Sequence, residues 1–134
     1  MDQRILMVDD DEGFLFAAGR LLEAAGYDVT TATSAADART KLQSSLPDLI
    51  LLDVLMPGED GFTFSDQISE DEKLAGIPIV LVTAMAESPG QMMYALEHDK
   101  GLAAVDILPK SAAHERLLAT VVSALASRKL ERSE

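Results

Sequence analysis

Three consecutive aspartates, Asp9, Asp10 and Asp11, follow directly on the apolar run Ile5-Leu6-Met7-Val8. A second apolar run, Leu49-Ile50-Leu51-Leu52, also ends on an aspartate, Asp53. Thr83 follows the run Ile79 to Val82, and Lys110 stands just past Val105 to Leu108. Carboxylates gathered in one place repel and resist ionisation unless a cation joins them. Hard oxygen ligands in a chain without cysteine favour Mg²⁺, with Mn²⁺ as the substitute. Few carboxylates and room for water suit a metal that must also meet a phosphate. One aspartate after a strand is commonly a turn residue or a helix cap. Five polar positions on four strand ends are much harder to explain that way.

These groups meet only if the runs are neighbouring strands. Leu49 to Leu52 and Ile79 to Val82 are unbroken apolar, as strands covered on both faces are. Val105 to Leu108 is weaker because Asp106 interrupts it, and Asp28 to Ala32 alternates like an edge strand. Helical segments separate the runs. Leu15, Ala18, Leu22 and Ala25 keep helical spacing, and Gly26 is a natural stop. Ser34 is placed to cap a second helix through Leu46, with Asp37 as a loose capping-box partner and Pro47 ending it. Phe62 to about Glu70 forms a third, Pro89 opens a fourth through His98, and His114 to Leu125 forms a fifth. Strand and helix alternating in this way predict an α/β fold with a parallel sheet and helices on both faces. Ligands of such sheets bind outside the carboxyl ends of the strands, where Asp9, Asp10, Asp53, Thr83 and Lys110 all fall.

The bulk composition narrows the function classes. A chain of 134 residues with 48% hydrophobic content predicts one domain with its own core, over residues 1–127, followed by a charged tail at 128–134 that is frayed or helical. A formal net charge of −12 excludes nucleic-acid binding through a general basic patch and disfavours an anionic membrane. With no cysteine, disulfides, thiolate metal sites and cysteine nucleophiles are excluded. The apolar runs are too short to span a bilayer and the N-terminus lacks an apolar signal segment, so a cytoplasmic protein is expected. Asp11 is expected to cap a helix or be solvated.

With these residues in place, the chain resembles the receiver domain of two-component response regulators, the CheY-like superfamily. The motifs are MVDDDE at 7–12, DVLMPGEDGF at 53–62, VTA at 82–84 and LPKSA at 108–112, and the resemblance covers nearly the whole chain. It implies a doubly wound, flavodoxin-like sheet of five parallel strands in the order 2-1-3-4-5. It also implies that Asp53 is the phosphoacceptor and attacks phosphorus as a carboxylate nucleophile. Asp10 would ligate Mg²⁺ directly, Asp9 mostly through water, and the backbone carbonyl of Leu55 would add a ligand. Thr83 would hydrogen-bond one phosphoryl oxygen and Lys110 would pair with another. The donor would be a phosphohistidine on a sensor histidine kinase or a histidine phosphotransfer protein. The output partner would read the face made by the fourth predicted helix, the fifth strand and the fifth predicted helix, with a homodimer compatible. Such a protein is a signalling phosphoacceptor and not an enzyme acting on other substrates. The alternative is a pseudo-receiver, a protein-interaction module that works without phosphorylation. An aspartate-nucleophile phosphatase of the haloacid dehalogenase type expects an acid two residues after the nucleophile, where Leu55 stands. A flavin binder would carry a phosphate loop where these acids lie.

The chain departs from the family pattern in two places. Many members place a proline after the lysine, whereas here Pro109 precedes Lys110 and Ser111 follows. The turn must therefore position the lysine by another backbone route. Many members also carry an aromatic switch residue three positions before the lysine, where this chain has Ile107. Leu55 and Met85 stand where family members flank the path of attacking water. Being apolar, they predict slow loss of the phosphoryl group.

Overall fold

β3 (Leu49–Leu52) is apolar at all four positions and buried at all four. A strand with that pattern needs cover on both faces, and the rest of the chain supplies it. The computed structural model describes residues 3–53, 56, 61–84 and 104–132. Around β3 lie β1 (Arg4–Val8), β2 (Asp28–Ala32), β4 (Ile79–Thr83) and β5 (Ala104–Pro109), all parallel, in the order β2-β1-β3-β4-β5. This is the predicted strand order and fold class.

Because strand side chains alternate, each strand feeds two cores. Leu6, Val8, Ile50, Leu52, Ile79, Leu81 and Ile107 pack on one face. There they meet Ala35, Ala38 and Leu42 of α2 (Ala35–Ser44) and Phe64 and Ile68 of α3 (Gly61–Glu70). Ile5, Met7, Leu49, Leu51, Val80, Val82 and Leu108 pack on the other. Their partners are Leu15, Ala18 and Leu22 of α1 (Glu12–Ala24) and Leu117, Val121 and Leu125 of the C-terminal helix (Ala113–Arg132). Each buried Leu or Ile side chain contributes about 1.5–3 kcal/mol, so the sheet is held firmly between its two layers and its edges are well positioned.

The ends of the helices follow from particular residues. Asp11 caps α1, its Oδ1 accepting from the Phe14 N–H at 3.1 Å, as expected for the third aspartate. After α1, Gly26 takes a φ of 99°, where a side chain would be strained. The Gly26 and Tyr27 N–H groups then bond back to Glu23 and Leu22, closing a Schellman motif. Ser34 caps α2 through the Asp37 N–H at 3.0 Å. α2 ends at Ser44, not at the predicted Leu46. Ser45 is extended, and its Oγ accepts from Arg4 Nη1 at 2.6 Å. Pro47 also disfavours the helical region for Leu46.

β5 carries a β-bulge. Ile79 pairs with Ala104 and Val80 with Asp106, so Val105 is the extra residue. The acid that breaks the apolar run thereby stays exposed, while Ile107 and Leu108 remain buried. The C-terminal helix runs on through the charged segment to Arg132. The fourth predicted helix, 89–98, lies outside the described residues. Among the described residues no helix is long and apolar enough to cross a membrane.

Candidate functional site

Register places the acids side by side. Val8 and Leu52 are cross-strand partners, so Asp9 and Asp53 are the next residues on two adjacent strands. The ladder continues past them: the Asp9 N–H bonds to Ala32 O at 3.0 Å and the Asp53 N–H to Val8 O at 2.9 Å. Both backbones are thus fixed at the carboxyl edge of the sheet. Asp9 is 2% exposed and Asp53 4%, whereas Asp10 is exposed. One carboxylate oxygen from each of Asp9, Asp10 and Asp53 lies within 4.8 Å of the others. Thr83 closes β4 opposite Pro109, which puts it at the same edge one residue before Lys110.

Lys110 reaches this cluster from a 3₁₀ turn, Lys110–Ala112, that leads directly into the C-terminal helix. All described peptide bonds are trans, that of Leu108–Pro109 included. Pro109, with φ −63° and ψ 138°, ends β5 and starts the turn, so the lysine is placed by the proline before it, with Ser111 and not a proline after it. Its Nζ lies 2.8 Å from Asp9 Oδ2 and 3.3 Å from Asp53 Oδ2. Its ammonium also stands over the ring of Phe14, 4.9 Å from the centroid.

The charge balance is incomplete. Asp9 Oδ1 accepts from the Asp11 N–H at 2.9 Å. Asp9 Oδ2 is held by the Lys110 ammonium at 2.8 Å as an ion pair. Burial pushes the Asp9 carboxyl up from 3.8 to about 6; Lys110 and the Asp11 N–H pull it down, and the charge of Asp53 raises it again. Burial alone would lower the Lys110 ammonium, but its contacts with Asp9 and the nearby charge of Asp53 outweigh that and raise it. Three carboxylates clustered at one edge, two of them paired with Lys110, fit a hard divalent cation held by oxygen.

Four of the predicted site residues, Asp9, Asp10, Asp53 and Lys110, are therefore brought together, and Thr83 lies on the adjoining strand end. Leu55 and Met85 lie outside the described residues. Phe14 is the addition that sequence reasoning missed. Its sequence signal was faint: an aromatic one turn into a helix that starts at the acids.

The sequence family described as the response regulator receiver domain matches residues 5–122. The chain is 41% identical over 97 residues to the response regulator PleD of Caulobacter vibrioides, covering 72% of this chain but only 21% of PleD. It is 31% identical over 123 residues to the protein PilH of Pseudomonas aeruginosa, covering 92% of this chain and 98% of that one. Among solved structures, the chemotaxis response regulator CheY4 of Vibrio cholerae superposes with a TM-score of 0.81 at 29% identity, over 92% of this chain and 99% of that one. A shared sheet order, an acid cluster at its carboxyl edge and a sequence match over most of the length point the same way: the chain belongs to the response regulator receiver domain family.

Proposed function

We propose that this receiver domain accepts a phosphoryl group on Asp53 from a phosphohistidine donor and passes the event to a partner. The observation that carries this reading is the convergence of Asp9, Asp10, Asp53 and Lys110 within one pocket edge. In the reaction a carboxylate oxygen of Asp53 forms a bond to phosphorus. The phosphorus–nitrogen bond of the donor breaks, and its electron pair leaves with the imidazole. Phosphoryl transfer asks the protein mainly for positioning and charge stabilisation. The Asp53 backbone is fixed by its bond to Val8, and its buried carboxylate is held in the ion pair with Lys110. Lys110 already stands 3.3 Å from Asp53 Oδ2. A phosphoryl oxygen attached there comes within reach of the same ammonium, and the family pattern assigns Thr83, at the end of β4, to a second oxygen. Asp9, Asp10 and Asp53 are the residues that would hold Mg²⁺, with the Leu55 carbonyl as the further ligand that the family pattern implies. The ion's chemistry there is charge neutralisation of nucleophile and phosphoryl group together.

The donor is a sensor histidine kinase or a phosphotransfer protein. The reporter is the face that includes β5 and the C-terminal helix. Ile107 is buried against the α2–α3 side of the sheet, so signalling through an inward-swinging aromatic is replaced by aliphatic packing at this position. Intact-mass measurement after incubation with acetyl phosphate and Mg²⁺ tests the reading. A single phosphoryl adduct on the wild type, absent from Asp53→Asn, is expected. No adduct on the wild type would leave the phosphorylation-independent interaction module as the better account.

A further inference from the structure

A lysine is a compact charge on a long, flexible stem, without the planar fork that orients an arginine. Asp9 and Asp53 fix the Lys110 head through two ion pairs, at 2.8 and 3.3 Å, and a further contact narrows its position more. Phe14 makes such a contact. The Phe14 ring faces the ammonium with its centroid 4.9 Å from Nζ, within the range over which an aromatic face attracts a cation. Lys110 retains only 21% side-chain exposure, so the contact is partly withdrawn from water, where such attraction is strongest.

Phe14 is itself well fixed. Its N–H is bound by the Asp11 cap at 3.1 Å. Its ring packs against the core between α1 and the C-terminal helix, and it lines the small cavity it shares with Asp9 and Asp53. The aspartate run thus acts at both ends of the contact: Asp11 fixes the backbone of Phe14, and Asp9 takes the ammonium that the ring faces. A core-filling aromatic would need only volume and apolarity. This one presents its face to the only described cation that touches the acid pair.

We propose that Phe14 is a positioning residue for Lys110, its ring face holding the ammonium over Asp9 and Asp53 so that it meets the phosphoryl group on Asp53 without a search through rotamers. The catalytic half of this proposal rests on the phosphoacceptor reading; the placement of the lysine does not. Phe14→Leu keeps an apolar side chain but removes the ring face, and Phe14→Tyr keeps the face.

The test has two arms on the intact chain. In the first, NMR of the metal-free protein reads the ε-methylene protons of Lys110, assigned by their loss in Lys110→Ala. An upfield ring-current shift is expected in the wild type and in Phe14→Tyr, and its loss in Phe14→Leu. In the second, the rate of adduct formation with acetyl phosphate and Mg²⁺ is followed by mass. Phe14→Leu is expected to be about threefold to tenfold slower, the worth of one partly desolvated contact of this kind. Phe14→Tyr restores the rate, and Phe14→Leu adds no further loss in a Lys110→Ala background. A wild-type rate in Phe14→Leu, an equal loss without the lysine, or no ring-current shift in the wild type overturns the proposal. A wild type that forms no adduct overturns the phosphoacceptor reading and with it the catalytic half, while the NMR arm still decides whether Phe14 holds Lys110.

Discussion

The two ends of the sheet treat carboxylates in opposite ways. At the amino end, Asp48 Oδ2 accepts the Arg4 N–H at 2.8 Å, and the Asp48 N–H returns a bond to Arg4 O at 2.7 Å. The Arg4 guanidinium is tied to Ser45 beside them. That acid is a clamp between β1 and the start of β3, satisfied by the backbone it joins. At the carboxyl end, Asp9, Asp10 and Asp53 crowd one another, and among the described residues Lys110 is the cation that pairs with two of them. Groups at the first end are arranged for the fold alone. Those at the second leave charge unbalanced, which costs stability and is retained where a ligand can restore the balance.

The sharpest way to break the comparison is to neutralise one acid at each end. Asp53→Asn should abolish the phosphoryl adduct, a loss of at least about a hundredfold because no other group replaces the nucleophile. It should leave a folded protein with a cooperative melt. An adduct that survives on Asp53→Asn would move the acceptor elsewhere.

Metal comes next in size. Mg²⁺ at about a hundred times its dissociation constant should stabilise the native state by about 2.7 kcal/mol, a shift of several degrees in the melting temperature. Asp10→Asn should remove most of that shift, while Asp48→Ala should keep it whole. A melting curve that does not move with Mg²⁺ would argue against a cation site at the carboxyl end.

Proton and metal should compete at Asp9. Its folded carboxyl is raised to about 6 against an ordinary 3.8, so the folded state holds this proton more tightly than the unfolded one. The contribution is fully present below about 3.8 and lost as pH rises through about 6. Metal-free protein should therefore lose about 1–2 kcal/mol of stability from this group across that window, after discounting for its coupling to Asp53 and Lys110. With Mg²⁺ the sign reverses, because the ion needs the ionised carboxylate. Thermal melts from about pH 3.5 to about pH 7.5, which bracket the window from 3.8 to about 6, should show the Mg²⁺ shift shrinking below about 6. A shift that is flat with pH would remove Asp9 from the metal set.

Much of both ends was legible beforehand, for a physical reason. Leu49 to Leu52 and Ile79 to Val82 are runs in which burial on both faces leaves no room for polar residues, so their limits were clear. Asp11 and Gly26 obey local rules of helix ends, and the structure follows them. The bulge at Val105 was hidden, because Asp106 reads equally well as a broken strand. The early end of α2 was only half legible: Pro47 restricts Leu46 locally, whereas the bond from Arg4 to the extended Ser45 joins residues far apart in sequence. Phe14 was missed for the same reason: its contact with Lys110 exists only once β5 is laid beside β4 and the C-terminal helix beside α1.

The smallest expected effect is at the clamp itself. Asp48→Ala removes the acceptor for the Arg4 N–H at the edge where β1 begins. A hydrogen bond to a charged group is worth about 1.5–3 kcal/mol when buried. Asp48 is only half-buried and Arg4 is exposed, so about 1 kcal/mol is expected here. Urea melts should show that loss at both neutral pH and pH 5, with Mg²⁺ and without. The adduct rate with acetyl phosphate should be unchanged, since Asp48 bonds to Arg4 at the opposite edge of the sheet. If Asp48→Ala instead slowed phosphorylation while melting normally, the two ends would be coupled through β1 and β3, and their separation into clamp and site would be wrong.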